Sequence, residues 1–97
     1  MKYRSRTEII DSLLRGIGSG ATKTQIMYRS YLSYAQLKVY VALCMEKELI
    51  RLEPEENKYQ LTSKGLQFMN AFDDIKEVVP STDDMNDSRR QALRKDF

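Results

Sequence analysis

Ser33, Tyr34, Gln36 and Lys38 place four different polar groups within six residues, with Ala35 among them and Val39 directly after. A glutamine amide offers a donor beside an acceptor, a lysine offers three donors, and the two hydroxyls can give or accept. Such a set suits recognition by hydrogen bonding and small apolar contacts. It is poorly suited to making and breaking bonds. The chain contains no histidine, which removes the commonest general base and the commonest metal ligand together. Gly16, Gly18 and Gly20 alternate, but they lack the lysine spacing of a phosphate-binding loop and follow a helical pattern instead of a strand. No catalytic role, cofactor or metal is therefore expected.

The elements that must carry these groups are marked by their starts. Ser5-Arg6-Thr7-Glu8, Thr22-Lys23-Thr24-Gln25 and Ser33-Tyr34-Ala35-Gln36 each fit the capping box, in which a hydroxyl and a Glu or Gln side chain satisfy each other's free backbone N–H groups. Apolar residues at helical spacing follow each one. Ile9, Ile10, Leu13, Leu14 and Ile17 form the inward stripe of a first helix of about three turns, which the three glycines are expected to break. Ile26 and Met27 face inward on a short second helix. A third runs from Tyr34 to about Lys47 with Leu37, Tyr40, Val41 and Cys44 on one face. The period then changes. Leu49–Leu52 and Lys58–Leu61 read as strands about the turn Glu53-Pro54-Glu55-Glu56-Asn57, and Thr62 or Ser63 opens a last helix to about Val79.

The expected fold is mostly α with a small β-hairpin (α+β): two helices joined by a tight turn, then a hairpin, which is a winged helix-turn-helix. In that arrangement the second helix of the pair enters the major groove of double-stranded DNA. Gln36 would then pair with adenine, Lys38 with guanine or phosphate, and Ala35 or Val39 with a thymine methyl, with Tyr34 alongside. Ser33 and the helix N-terminus would hold a phosphate. Charge supports the placement: residues 1–52 carry nine Lys/Arg against four Asp/Glu, whereas 53–80 carry three against six. Lys2, Arg4 and Arg6 on an N-terminal arm, Lys23 and Arg29 on the second helix, and Arg51 and Lys58 at the wing base are candidate phosphate contacts. Glu53, Glu55 and Glu56 would be repelled by phosphates, so the wing tip is expected to point away. Tyr28, Tyr31 and Tyr34 either reach phosphates through their hydroxyls or, more commonly for such a cluster, pack the turn. Cys44 is expected to be a small core hydrophobe.

The last helix repeats Leu61, Gly65, Phe68, Phe72, Ile75 and Val79 at spacings of four and three, the seam of a coiled coil. Leu66 and Met69 lie off the seam, where they can pack on the winged domain. Phe68, Phe72, Ile75 and Val79 are thus the expected interface of a homodimer. The organisation is a winged domain with a basic arm over 1–61, a dimerisation helix over 62–79, and a polar tail over 80–97.

The stretch Thr24-Gln25-Ile26-Met27-Tyr28, then Leu32-Ser33-Tyr34, Leu49-Ile50 and Tyr59-Gln60-Leu61-Thr62-Ser63-Lys64-Gly65 resembles the small archaeal ten-kilodalton winged-helix DNA-binding proteins over residues 5–79. The resemblance implies a chromatin-associated or transcription-regulating protein, dimeric through an antiparallel coiled coil of C-terminal helices. Pro80 departs from the pattern and shortens that rod. Such a protein would be cytoplasmic, at the nucleoid, and no apolar run is long enough for a membrane span. The alternative is a winged helix that docks on another protein without touching DNA.

Overall fold

A computed structural model describes residues 4–78. The elements run α1 (Arg6–Ile17), α2 (Lys23–Ser30), α3 (Tyr34–Glu46), β1 (Ile50–Glu53), β2 (Lys58–Leu61) and α4 (Ser63–Val78). This is the mostly helical winged fold expected from the sequence. All three capping boxes are formed, with Ser5, Thr22 and Ser33 each accepting from the backbone of the Glu or Gln three residues on and each receiving the reciprocal bond. Thr62 caps α4, its Oγ1 accepting from the Gly65 N–H at 3.1 Å.

The core is built on α1. Ile9, Ile10, Leu13, Leu14 and Ile17 are buried, and they meet Ile26 of α2, Leu32 of the turn, Leu37, Val41 and Cys44 of α3, and Ile50 and Tyr59 of the hairpin. Burial desolvates the Cys44 thiol and pushes its pKa up to about 11, so it behaves as a core hydrophobe. Gly16 does not break α1 as expected but lies within it. Its missing side chain lets α2 approach closely, since a Cβ there would sit 3.4 Å from Arg29 Cβ. The helix ends at Gly18, the C-cap, whose φ of 54° suits glycine.

The strands pair antiparallel, Ile50 opposite Leu61 and Glu53 opposite Lys58, one residue later in β1 than the sequence suggested. The hairpin is also tied to the α1–α2 loop by a bridge that the sequence did not reveal. Ala21 N donates to Tyr59 O at 3.1 Å and Tyr59 N donates to Ala21 O at 2.7 Å.

Two contacts fix α4. Arg15 of α1 donates to Asp11 at 2.8 Å and to Asp73 of α4, both carboxylates raising its pKa further above the normal arginine range. Asp11 is buried, and its Oδ1 has no partner among the described residues. At the other end Gly65 is buried against the α3–β1 connection. A Cβ placed there would lie 2.2 Å from the Leu49 carbonyl oxygen, an oxygen that already accepts from Thr62 N. This corrects the seam reading of Gly65, which faces its own domain. Leu66, expected to pack on the domain, is exposed instead, while Met69 does pack on the core.

Gly65→Ala forces that backbone apart and is expected to destabilise the protein by about 1–3 kcal/mol, the cost typical of overpacking. Denaturant melts of the variant and the parent check this; an unchanged midpoint would show that α4 can pivot away freely.

Candidate nucleic-acid interface

The turn between α2 and α3 is two residues long, Tyr31 and Leu32, before Ser33 caps the next helix. Tyr31 sits in the left-handed region (φ 57°, ψ 42°), which costs a bulky side chain of order 1–3 kcal/mol. Arg4 offsets that strain. Its guanidinium donates to the carbonyls of Ser30 at 2.9 Å and Tyr31 at 3.1 Å, satisfying the open end of α2. The buried Ser30 hydroxyl returns a bond to Ile26 O.

With Leu37, Val41 and Cys44 buried, α3 turns Tyr34, Ala35, Gln36, Lys38, Val39 and Ala42 to solvent. Lys38 Nζ lies 5.6 Å from the Tyr34 ring centroid, a cation–π contact that holds both side chains at the start of the helix. Tyr28, Tyr31 and Tyr34 are 72%, 86% and 62% exposed. This overturns the expectation that they pack the turn. The capping boxes and Arg4 already hold the chain there, so the rings are left outside.

The other predicted contacts are distributed as follows. Arg6 and Lys23 are exposed at the starts of α1 and α2. Arg29 is exposed, with its Nη1 donating to Gly16 O at 3.1 Å. Arg51 pairs with Glu53 on the same strand at 3.6 Å, and Lys58 stands opposite Glu53 in the hairpin. The wing base is therefore less positive than its cations alone imply. Lys2 lies outside the described residues.

Gln36 carries a constraint that spacing alone did not expose. Its Oε1 accepts from Ser33 N at 3.1 Å while Ser33 Oγ accepts from Gln36 N at 3.1 Å. A bidentate contact to adenine uses Oε1 to accept from the base N6–H while Nε2 donates to N7. While the box is closed, Nε2 is the part of Gln36 left for a ligand.

A family model described as winged helix-turn-helix matches residues 3–79. The chain belongs to the winged helix-turn-helix family. Among curated proteins none matches the sequence significantly. Among solved structures, the fold is similar to that of Sso10a-2, a DNA-binding protein from Sulfolobus solfataricus, with a TM-score of 0.78 and 15% identity. The match covers 94% of this chain and 95% of that one. Within this winged fold, α3 is the second helix of the helix-turn-helix pair.

The residues that sequence reasoning missed are Asp11, Arg15 and Asp73. For Asp11 and Arg15 the signal was present, an acid four residues before an arginine on the edge of an apolar stripe, whereas Asp73 joins them only through the fold.

Ser33→Ala is expected to lower stability by about 1 kcal/mol by removing the cap. Gln36→Ala should cost about half that, since alanine's better helix propensity offsets part of the lost bond from the Ser33 N–H. Thermal melts of the two variants check the order; a Gln36→Ala variant as stable as the parent would mean that the box contributes nothing.

Proposed function

We propose that this chain binds double-stranded DNA as a homodimer, with α3 in the major groove, and acts as a transcription regulator or chromatin-associated protein. The observation that carries the reading is the outer face of α3 with its surroundings. A capped helix N-terminus, Lys38 and three exposed tyrosine hydroxyls stand together, with Arg6, Lys23 and Arg29 at the flanks. Exposed cations and helix termini neutralise phosphates, and the short side chains Ala35 and Val39 let a helix lie close to base edges. The fold shared with a DNA-binding protein supports the same reading. With Gln36 partly engaged in its box, Lys38 and Tyr34 remain as the freer polar readers, so sequence selectivity is modest. The acidic Glu53, Glu55 and Glu56 keep the wing tip off the backbone, and this region contributes little affinity.

Dimerisation falls to the far half of α4. Phe68 and Phe72 stack with ring centroids 6.4 Å apart. Phe68 packs against the core, while Ile75 and Val78 are 55% and 80% exposed. Phe72, Ile75 and the outer edge of Phe68 then form the patch that a second copy covers; Val79, also assigned to that patch, lies outside the described residues.

One observation favours a second reading. Arg6, Val39, Tyr40, Ala42, Leu43 and Glu46 line a cleft of about 290 Å³ beside α3, and its apolar floor would suit a protein partner.

Two measurements separate these readings. Fluorescence anisotropy with a labelled duplex of about 30 base pairs, roughly three helical turns, should show binding that weakens with salt by a log–log slope of about −0.9 per neutralised phosphate. Absence of binding at low salt on any sequence would favour the protein-docking reading. Sedimentation of the parent and of Phe72→Glu should give a dimer and a monomer respectively; a variant that stays dimeric would place the interface elsewhere.

A further inference from the structure

Arginine is costly to gather without purpose, because guanidinium groups repel one another unless something neutralises them. Three converge between α1 and α2. Arg4, Arg15 and Arg29 line a cleft of about 310 Å³ together with Ser12, Ser30 and Tyr31. This cleft shares no lining residue with the apolar cleft beside α3.

The three cations are not equivalent. Arg15 is more than neutralised, since its one charge meets two carboxylates, the buried Asp11 and the half-exposed Asp73. Arg4 and Arg29 hold only backbone carbonyls, those of Ser30 and Tyr31 and that of Gly16. Those bonds fix where each fork points without cancelling its charge. Among the described residues no carboxylate pairs with either. Arg4 uses two of its five N–H donors in this way and Arg29 uses one, so most of both forks is left over.

Two uncancelled, pre-oriented guanidinium charges over one concavity match a dianion whose oxygens are arranged to take forked bonds. We propose that this cleft binds a phosphate group, with Arg4 and Arg29 as its forked donors and Ser12 as a hydroxyl donor at its side. Phosphate is the fitting class because arginine forks meet its oxygens in pairs and its charge of nearly two balances theirs. Arg15 is held back by its carboxylates and acts as the wall of the cleft. The volume is at the small end for ligand sites, which run from about 300 Å³ upward. It admits a phosphate monoester with a small organic part. The ligand would lie against the carbonyl clamp at Ser30 and Tyr31, so occupancy and the setting of the turn into α3 are coupled through Arg4.

A phosphate there has two sources, a free monoester, whose charge of nearly two matches the pair of arginines, or the nucleic-acid backbone, whose diester carries a single charge, and one experiment distinguishes them. The isotope-labelled full chain is titrated with inorganic phosphate against chloride at equal ionic strength, without DNA, while arginine Nε–H and the Ser12 and Ser30 amide signals are followed. Saturable shifts confined to those groups, with affinity weakened about tenfold or more in Arg29→Gln, establish a site for free phosphate. Arg29→Lys should retain part of the affinity, since it keeps the charge and loses the fork. If free phosphate gives no saturation, a duplex should shift the same signals, and Arg29→Gln should then reduce the salt slope by about 0.9, assigning the site to the backbone. Shifts spread evenly over the surface cations, with the cleft signals unmoved by both probes, would overturn the proposal. Because the phosphate arm contains no DNA, its outcome stands whether or not the chain binds duplex.

Discussion

The structure depends on one buried face. Leu13, Leu14 and Ile17 are wholly excluded from solvent, and α1 touches α2, α3, α4 and β2. Burying a side chain of this size is worth about 1.5–3 kcal/mol, so one stripe of one helix supplies the common floor on which the other helices and the hairpin rest. A chain this short has little apolar surface to spare. Once α1 has gathered Ile26, Leu37, Val41, Cys44, Ile50 and Tyr59 around itself, the rings of Tyr28, Tyr31 and Tyr34 have no interior left to occupy. Their exposure follows from the size of the core as well as from the shape of the turn.

Around that floor, order is held by local polar bonds at the ends of elements. Each of the first three helices starts with a closed box, and the strained Tyr31 is pinned by Arg4 reaching back from the arm. This sharpens the turn and couples its chemistry to its stability. Ser33 and Gln36 are at once the start of α3 and the polar groups nearest its exposed end. In the proposed DNA complex, a base that drew the Gln36 amide away from Ser33 would break a bond of about 1 kcal/mol, so this position would add less to recognition than an unengaged glutamine.

The helix starts and the hairpin were legible in the sequence because their determinants are local. A hydroxyl three residues before Glu or Gln, or Pro54 and Asn57 between two β-rich runs, acts through neighbours in the chain. Asn57, with φ of 54°, shows why that residue type stands there. What was missed is non-local. Gly16 reads as a helix breaker by propensity, yet close packing of α2 keeps it helical. Residue types do not reveal the Ala21–Tyr59 bridge, because it joins segments far apart in sequence through backbone atoms alone. The same holds for Arg15, which meets Asp73 only once α4 has folded back. The heptad spacing of α4 was legible as spacing, but period does not say which copy of the chain each residue faces. Gly65 and Phe68 face their own domain, and Leu66, off the seam, faces out.

That division of α4 has a geometric consequence. The helix spans about 24 Å at 1.5 Å per residue, and its first half is docked where Gly65 meets Leu49 and Met69 meets the core. Asp73 marks the last point at which the helix is held, by Arg15 of α1, and Ile75 and Val78 lie beyond it. In a dimer joined through that outer half, the angle between α4 and α1 sets the separation of the two α3 helices, which must fall near one helical turn of DNA or a multiple of it to engage both half-sites. Arg15 then contributes more than an ion pair on a surface. It is the member of the α1–α4 contact with a buried carboxylate on one side and the projecting helix on the other, so it ties the direction of α4 to the helix on which the core is built.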